Sequence, residues 1–282
     1  MKTESAWLVA QDQQQLHVRI FRPDGPPKAC IAMVHGFGEH TGRYERSAAF
    51  FCARGYAYVI HDQRGHGLTP GKRGVVRTYA SLMSDIDLVL DRIGKNFPGL
   101  PIALYGHSMG GNEVLFRILH APALPASVKC AVAGSPWLRL HKPPSAATVA
   151  MAKIVSKILP DFTAKSDLKI EELNRSKENQ EATRNDPLYL DAIGARIFQE
   201  LSANGERILA EEPDLHIPLL VMVGTGDLVV SHEAVQEFIA KCGDRCESRI
   251  WPGFFHELHN EPEAEEVLGV VAEFLDRRLA GA

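Results

Sequence analysis

Apolar residues in this chain fall into two patterns. Short unbroken runs of five to seven alternate with longer stretches in which apolar positions recur every three or four residues. The runs at 29–34 (ACIAMV), 56–60, 101–105, 128–133, 217–223 (IPLLVMV) and 247–251 have the length and composition of strands. Residues 5–10 and 16–21 flank the polar turn 11–15 and predict a hairpin. The periodic stretches predict helices over about 44–54, 77–96, the region after 108, 232–241 and 262–279. In the 77–96 stretch Leu82, Ile86, Val89, Leu90 and Ile93 share one side. Eight strands alternating with helices predict an α/β fold with a mostly parallel eight-stranded sheet covered on both faces.

The rhythm breaks once. Between 136 and 212 there is no strand-like run. A Pro-rich entry (141–144), a helix over 145–159, a polar segment over 161–186 and a helix over 188–210 are expected instead. This divides the chain into a core, 1–135 with 213–282, and an inserted helical lid, 136–212. The lid is expected over the strand C-termini, the edge of an open α/β sheet where ligands bind.

The chemistry concentrates where a strand meets a helix. The run at 101–105 leads at once into Gly106-His107-Ser108-Met109-Gly110, and a helical period follows at Val114, Leu115, Ile118 and Leu119. Strand, Gly-x-Ser-x-Gly turn and helix form a nucleophile elbow. Such a turn strains the serine backbone and needs small neighbours, which Gly106 and Gly110 provide. It also puts the Met109 N–H at a helix N-terminus, where a developing anion is favoured.

A serine hydroxyl needs a base, and the base needs an orienting carboxylate. In this architecture both follow the serine, in loops leaving strands. Asp227 leaves the 217–223 strand through Gly224-Thr225-Gly226, whereas Asp214 precedes that strand and Asp244 follows the next helix. His232, His256 and His259 are the downstream histidines. His256 is preferred because it lies nearest the end of the last strand. A second oxyanion donor is expected from the loop 35–38, at the Phe37 N–H. His61, His66 and His107 are read as structural, with His107 directed away from the site. Loop 61–74, with Asp62 and Arg64, reads as a turn braced by ion pairs, and its glycines match neither a P-loop nor a dinucleotide fingerprint.

Bulk composition changes little in this picture. The 282 residues are 45% hydrophobic and 23% charged, ordinary for a globular protein. A net charge of −4 gives no reason to expect nucleic acid as a partner. No apolar segment follows Lys2, so no signal peptide is expected, and no stretch reaches the apolar length of a membrane span. Five scattered cysteines read as reduced thiols of a cytoplasmic protein.

Several segments carry a family likeness. His35-Gly36-Phe37-Gly38-Glu39-His40-Thr41-Gly42-Arg43-Tyr44, Asp62-Gln63-Arg64-Gly65-His66-Gly67, Gly106 to Gly111, Asn185-Asp186-Pro187-Leu188 and GFFHELHNE (253–261) run in one order along the chain. Together they resemble the monoacylglycerol lipases and lysophospholipase-like hydrolases of the α/β-hydrolase superfamily. The resemblance implies an α/β-hydrolase fold, Ser108, Asp227 and His256 as the catalytic triad, and Phe37 and Met109 as oxyanion donors. It implies no metal or cofactor, and a small-molecule acyl ester as substrate, of monoacylglycerol or lysophospholipid type. Short-chain esters and amides are the rival substrates on this fold. A non-catalytic binding protein is disfavoured because all three triad residues are present. The apolar helix 145–159, with Lys153 and Lys157, is expected to pack on the core, and also to line an acyl tunnel and touch membrane or micelle surfaces. Because the base must be neutral, kcat/KM is expected to fall below about pH 6.5.

Overall fold

The computed structural model describes residues 1–120 and 124–280. Strands β1 (Lys2–Val9) and β2 (Gln15–Arg22) form the expected hairpin. Then follow β3 (Ala29–Val34), α1 (Glu45–Cys52), β4 (Tyr56–His61), α2 (Tyr79–Asn96), β5 (Ile102–His107), α3 (Met109–His120) and β6 (Val128–Gly134). After the inserted segment come β9 (Leu219–Gly224), α7 (His232–Cys242), β10 (Glu247–Trp251) and α8 (Ala264–Leu279). Within the insertion lie α4 (Ala146–Ile158), β7 (Thr163–Lys165), α5 (Lys177–Arg184), β8 (Ala192–Gly194) and α6 (Ala195–Ala210).

The main sheet has eight strands in the order β1-β2-β4-β3-β5-β6-β9-β10. The β1–β2 and β2–β4 pairs are antiparallel and the others parallel. Strands β3, β4, β5 and β9 are buried along their whole length. That burial explains why they read as unbroken apolar runs rather than alternating ones. One apolar cluster covers one face, with Val89 and Ile93 of α2, Leu115 of α3, Ile208 of α6 and Phe238 of α7. The other face is filled by Phe51 of α1 and by Val271, Phe274 and Leu275 of α8.

The insertion differs from the sequence reading in three ways. It contains strands: β7 and β8 pair antiparallel over three residues each, too short to leave a period-2 signal. The last helix begins at Ala195 rather than near 188. Residues before it are extended because Leu190 N–H bonds Gly38 O at 3.0 Å and Gly194 N–H bonds Gly74 O at 2.8 Å. The polar segment holds a helix, α5, capped by the Ser176 hydroxyl accepting from the Asn179 N–H at 3.2 Å. No helix among the described residues is long and apolar enough to cross a membrane.

Candidate active site

Ser108 sits between β5 and α3 with φ at +55°, the left-handed region that a non-glycine residue occupies only under constraint. The constraint comes from both sides. Ser108 N–H bonds Gly134 O at 3.0 Å, and its carbonyl accepts from Asn112 N–H at 3.0 Å and Trp137 N–H at 2.9 Å. Gly110 lets α3 close on β3: a Cβ there would stand 2.1 Å from Val34 O. The turn therefore holds a strained serine at a cost of about 1–3 kcal/mol, offset by packing that glycine alone permits.

The loops leaving β5, β9 and β10 bring three side chains together. His256 Nε2 lies 2.9 Å from Ser108 Oγ, and His256 Nδ1 lies 2.8 Å from Asp227 Oδ2. The other carboxylate oxygen, Oδ1, accepts from the N–H groups of Val229 and Val230 at 2.8 and 2.9 Å. Asp227 can therefore only accept, so His256 carries its proton on Nδ1 and turns a bare Nε2 to the serine. All three residues are buried. Burial disfavours the imidazolium of His256, but the charge and hydrogen bond of Asp227, with the charges of Glu257 and Glu39, outweigh it and raise its pKa above the usual value.

The other histidines separate cleanly. His259 is stacked on Tyr44 with ring centroids 4.8 Å apart, and its Nε2 is 3.9 Å from Glu39. His232 bonds Gln236 on its own helix. Asp214 is exposed beside His216. One expectation is corrected: His107 does not turn away from the site. Its ring lies 4.9 Å from that of His256 and borders the cavity above Ser108. The loop after β10 wraps over the elbow, so the His107 ring packs against both His256 and, with centroids 4.8 Å apart, His259.

Backbone donors flank the serine. Met109 opens α3, so its N–H belongs to the first helical turn, which lacks intrahelical acceptors. The loop after β3 approaches from the other side, where a Cβ on Gly36 would lie 3.1 Å from Ser108 Cβ. Gly36 N–H is taken by Glu39 Oε2 at 2.6 Å, whereas Phe37 N–H meets no acceptor among the described residues. An oxygen bearing negative charge beside Ser108 Oγ could be received there.

A buried polar network, not anticipated from the sequence, lies beside His256. Arg43 Nη2 donates to both oxygens of Glu257, at 2.8 and 3.1 Å, and Nη1 donates to Thr183 Oγ1 at 2.6 Å. Tyr44 Oη donates to Glu39 Oε2 at 2.7 Å. Glu257 is wholly buried, which alone would raise its pKa; Arg43, with its hydrogen-bonded neighbours, lowers it to about 2. Glu39 and Arg43 stand in a segment the sequence already singles out, but the partner of Arg43, Glu257, is 214 positions further along.

The insertion grips both loops that flank the serine. Glu257 N–H bonds Leu173 O at 2.7 Å, Asn174 Nδ2 donates to Glu257 Oε2 at 2.9 Å, and Asn179 Nδ2 to Asn260 O at 2.6 Å. On the opposite side His40 Nε2 lies 2.7 Å from Asp186 Oδ2. Loop 61–74 is braced as expected, by partners outside it as well as within it. Asp62 takes His17 and the Thr41 and Leu68 N–H groups, and Arg64 takes Asp85 and Asp12. A cavity of about 830 Å³ rises from Ser108 and His256 between Met151, Val155, Phe162, Ile193 and Phe198. Glu39 and Glu257 are among its lining residues, and the insertion contributes apolar side chains together with Lys142, Lys165, Asp167, Lys169 and Glu172.

A parallel sheet with a strained serine at a strand-to-helix turn, under an inserted segment, defines an α/β-hydrolase. The family model described as serine aminopeptidase, S33, matches residues 25–263, and the chain belongs to that family of hydrolases. It is 34% identical to a human monoglyceride lipase over 263 residues, covering 90% of this chain and 84% of that protein. It is 31% identical to the phospholipase YtpA of Bacillus subtilis, covering 89% of this chain and 96% of that one. Among solved structures, the monoacylglycerol lipase of Paleococcus ferrophilus superposes with a TM-score of 0.82 at 28% identity, over 93% of this chain and 99% of that chain.

Proposed function

We propose that this carboxylic ester hydrolase cleaves monoacylglycerols, with Ser108, His256 and Asp227 as its catalytic triad. The observation that carries the reading is the Asp227–His256–Ser108 hydrogen-bonded relay opening into a cavity lined by both polar and apolar side chains. Ser108 Oγ attacks the ester carbonyl carbon while its proton passes to His256 Nε2. Asp227 keeps the imidazole in the required tautomer and stabilises the imidazolium. The carbonyl oxygen, now an oxyanion, is received by the N–H groups of Met109 and Phe37. Collapse expels the alkoxide, which takes the proton from His256. Water then repeats the sequence on the acyl-enzyme, its proton going to His256 and back to Ser108 as the acid leaves.

The cavity's mixed lining fits an amphipathic ester. The acyl chain lies along Met151, Val155 and Phe162, and the alcohol portion faces Glu39 and Glu257. Residues 136–212 act as the lid on a core of 1–135 and 213–282. Val149, Met151, Ile154, Ile158, Leu159 and Phe162 are exposed on or beside α4, with Lys153 and Lys157 between them, which suits transient contact with a membrane or micelle surface. A lysophospholipid is the second reading, favoured by the phospholipase relative and by the same mixed lining.

The test is fluorophosphonate labelling with mass mapping, followed by turnover of a matched panel of monoacylglycerols, lysophospholipids, short-chain esters and anilides. Label on Ser108, medium- or long-chain monoacylglycerol as the best substrate, and no ester turnover by Ser108→Ala are expected. Near wild-type ester hydrolysis by Ser108→Ala would end the reading, and a sharp preference for acetyl esters would remove the acyl tunnel.

A further inference from the structure

Glu113 is wholly buried on α3, one helical turn beyond Met109, and has no part in the relay. Neither of its carboxyl oxygens meets a hydrogen-bond donor among the described residues. The groups facing it are the Gln63 side chain, Tyr79, and Asp85 of α2, whose charge is already taken by Arg64. An ionised carboxylate here would be a buried, unpaired charge beside a second carboxylate, the most costly state a side chain can occupy.

Gln63 connects this carboxyl to the loop after β3. Its Nε2 donates to His35 O at 2.6 Å, and its backbone N–H donates to His35 Nε2 at 3.0 Å. His35 therefore carries its proton on Nδ1, which lies 2.8 Å from Gly36 O. One of the two N–H groups of its amide nitrogen goes to His35 O and neither reaches Glu113, so Gln63 is left with Oε1 as a buried acceptor that lacks a donor among the described residues. One proton on Glu113 satisfies two groups at once: it removes the carboxylate charge and supplies the donor for Gln63 Oε1.

We propose that Glu113 is kept as a neutral carboxylic acid, donates to Gln63 Oε1, and through Gln63 and His35 acts as a positioning residue for the Phe37 backbone donor. The chain Glu113–Gln63–His35–Gly36 fastens α3, which bears the Met109 N–H, to the loop that bears the Phe37 N–H. It fixes the spacing between the two donors. Burial, reinforced by the Asp85 charge, pushes the Glu113 pKa well above the carboxylate range. The inference rests on Phe37 and Met109 serving as oxyanion donors in the function proposed above.

The experiment has two arms. Infrared difference spectra of wild type minus Glu113→Gln at neutral pH read the protonation state directly and do not depend on any activity. A protonated-carboxyl band lost in the variant is expected; an ionised-carboxylate band in its place would overturn the proposal. Steady-state kinetics on a soluble ester form the second arm. Glu113→Leu is expected to lower kcat about tenfold with KM nearly unchanged, less than the roughly hundredfold loss of removing a donor outright. Glu113→Gln, which can still donate to Gln63 Oε1, is expected to recover most of that loss. Equal losses in both variants, or none in either, would refute the positioning role. Undiminished turnover by Ser108→Ala would instead refute the underlying reading while leaving the infrared result standing.

Discussion

Replacing Asp227 by asparagine tests the relay through its hydrogen-bond geometry. Asp227 Oδ1 accepts two backbone N–H groups, from Val229 and Val230, and Oδ2 faces His256 Nδ1. An asparagine has one oxygen to satisfy both sides. Turning its oxygen to the two N–H donors puts its NH₂ against His256 Nδ1, which forces the histidine proton onto Nε2 and leaves no base for Ser108. The opposite rotamer keeps the working tautomer but sets NH₂ against two buried N–H groups. Each unsatisfied donor costs about 1–3 kcal/mol, so this rotamer lies about 2–6 kcal/mol higher, a population of roughly one in 30 to one in 10⁴. Losing the negative charge opposite the forming imidazolium weakens the variant further. The expected fall in kcat/KM is about 10³- to 10⁴-fold, with a similar slowing of fluorophosphonate labelling and little change in the melting temperature. Activity within about tenfold of wild type would show that Asp227 does not set the tautomer, and the relay reading would fail.

Three further outcomes follow from the same geometry. The pKa of His256 is raised above its usual value, so the acid limb of the kcat/KM profile should have its midpoint above about pH 6.5; Glu257→Gln should move it to lower pH, and an unmoved midpoint would separate Glu257 from the base. Burial lowers His35, His61 and His259 to about 4 and His66 and His107 to about 3, so the unfolded chain binds protons that the folded one refuses. Stability should therefore be full above about pH 6.5 and fall steeply toward pH 4, by up to about 1.4 kcal/mol per pH unit for each histidine, which a melting series in pH would show. Gly110→Ala puts a Cβ 2.1 Å from Val34 O, between backbone segments that cannot yield, and is expected to cost about 3 kcal/mol or more together with all esterase activity, measured by thermal melting and ester turnover.

The eight strands of the main sheet were legible because the inner ones are buried on both faces and leave no polar position to blur the run. The elbow was legible because its glycines answer a local demand, the closeness of α3 to β3 at Gly110. What escaped was long-range or very short. Strands β7 and β8 rest on three residue pairs each, and α5 carries so polar a sequence that only its Ser176 cap announces it. Preference for His256 over His259 came from nearness to the strand end; the separation itself comes from Tyr44, which stacks on His259 from a loop over two hundred residues earlier. The place of His107 is not legible locally because the loop that covers it, with His256 and His259, comes from about 150 residues later. Glu113 and Gln63 looked like an ordinary helix glutamate and a loop amide until burial put them together.

The stretch from Leu173 to Leu190 is tied to the His256 loop at Glu257 and Asn260 and to the Phe37 loop at Gly38 and His40. Its removal would not yield a more open enzyme but one whose reacting groups have lost their scaffold. Residues around 146–162 lie outside these ties and can be exchanged without breaking them, while a wholesale graft of the insertion from a relative would have to import the matching core loops as well. During synthesis the same ties defer assembly of the Ser108–His256–Asp227 contact until the C-terminal part of the chain has emerged and docked.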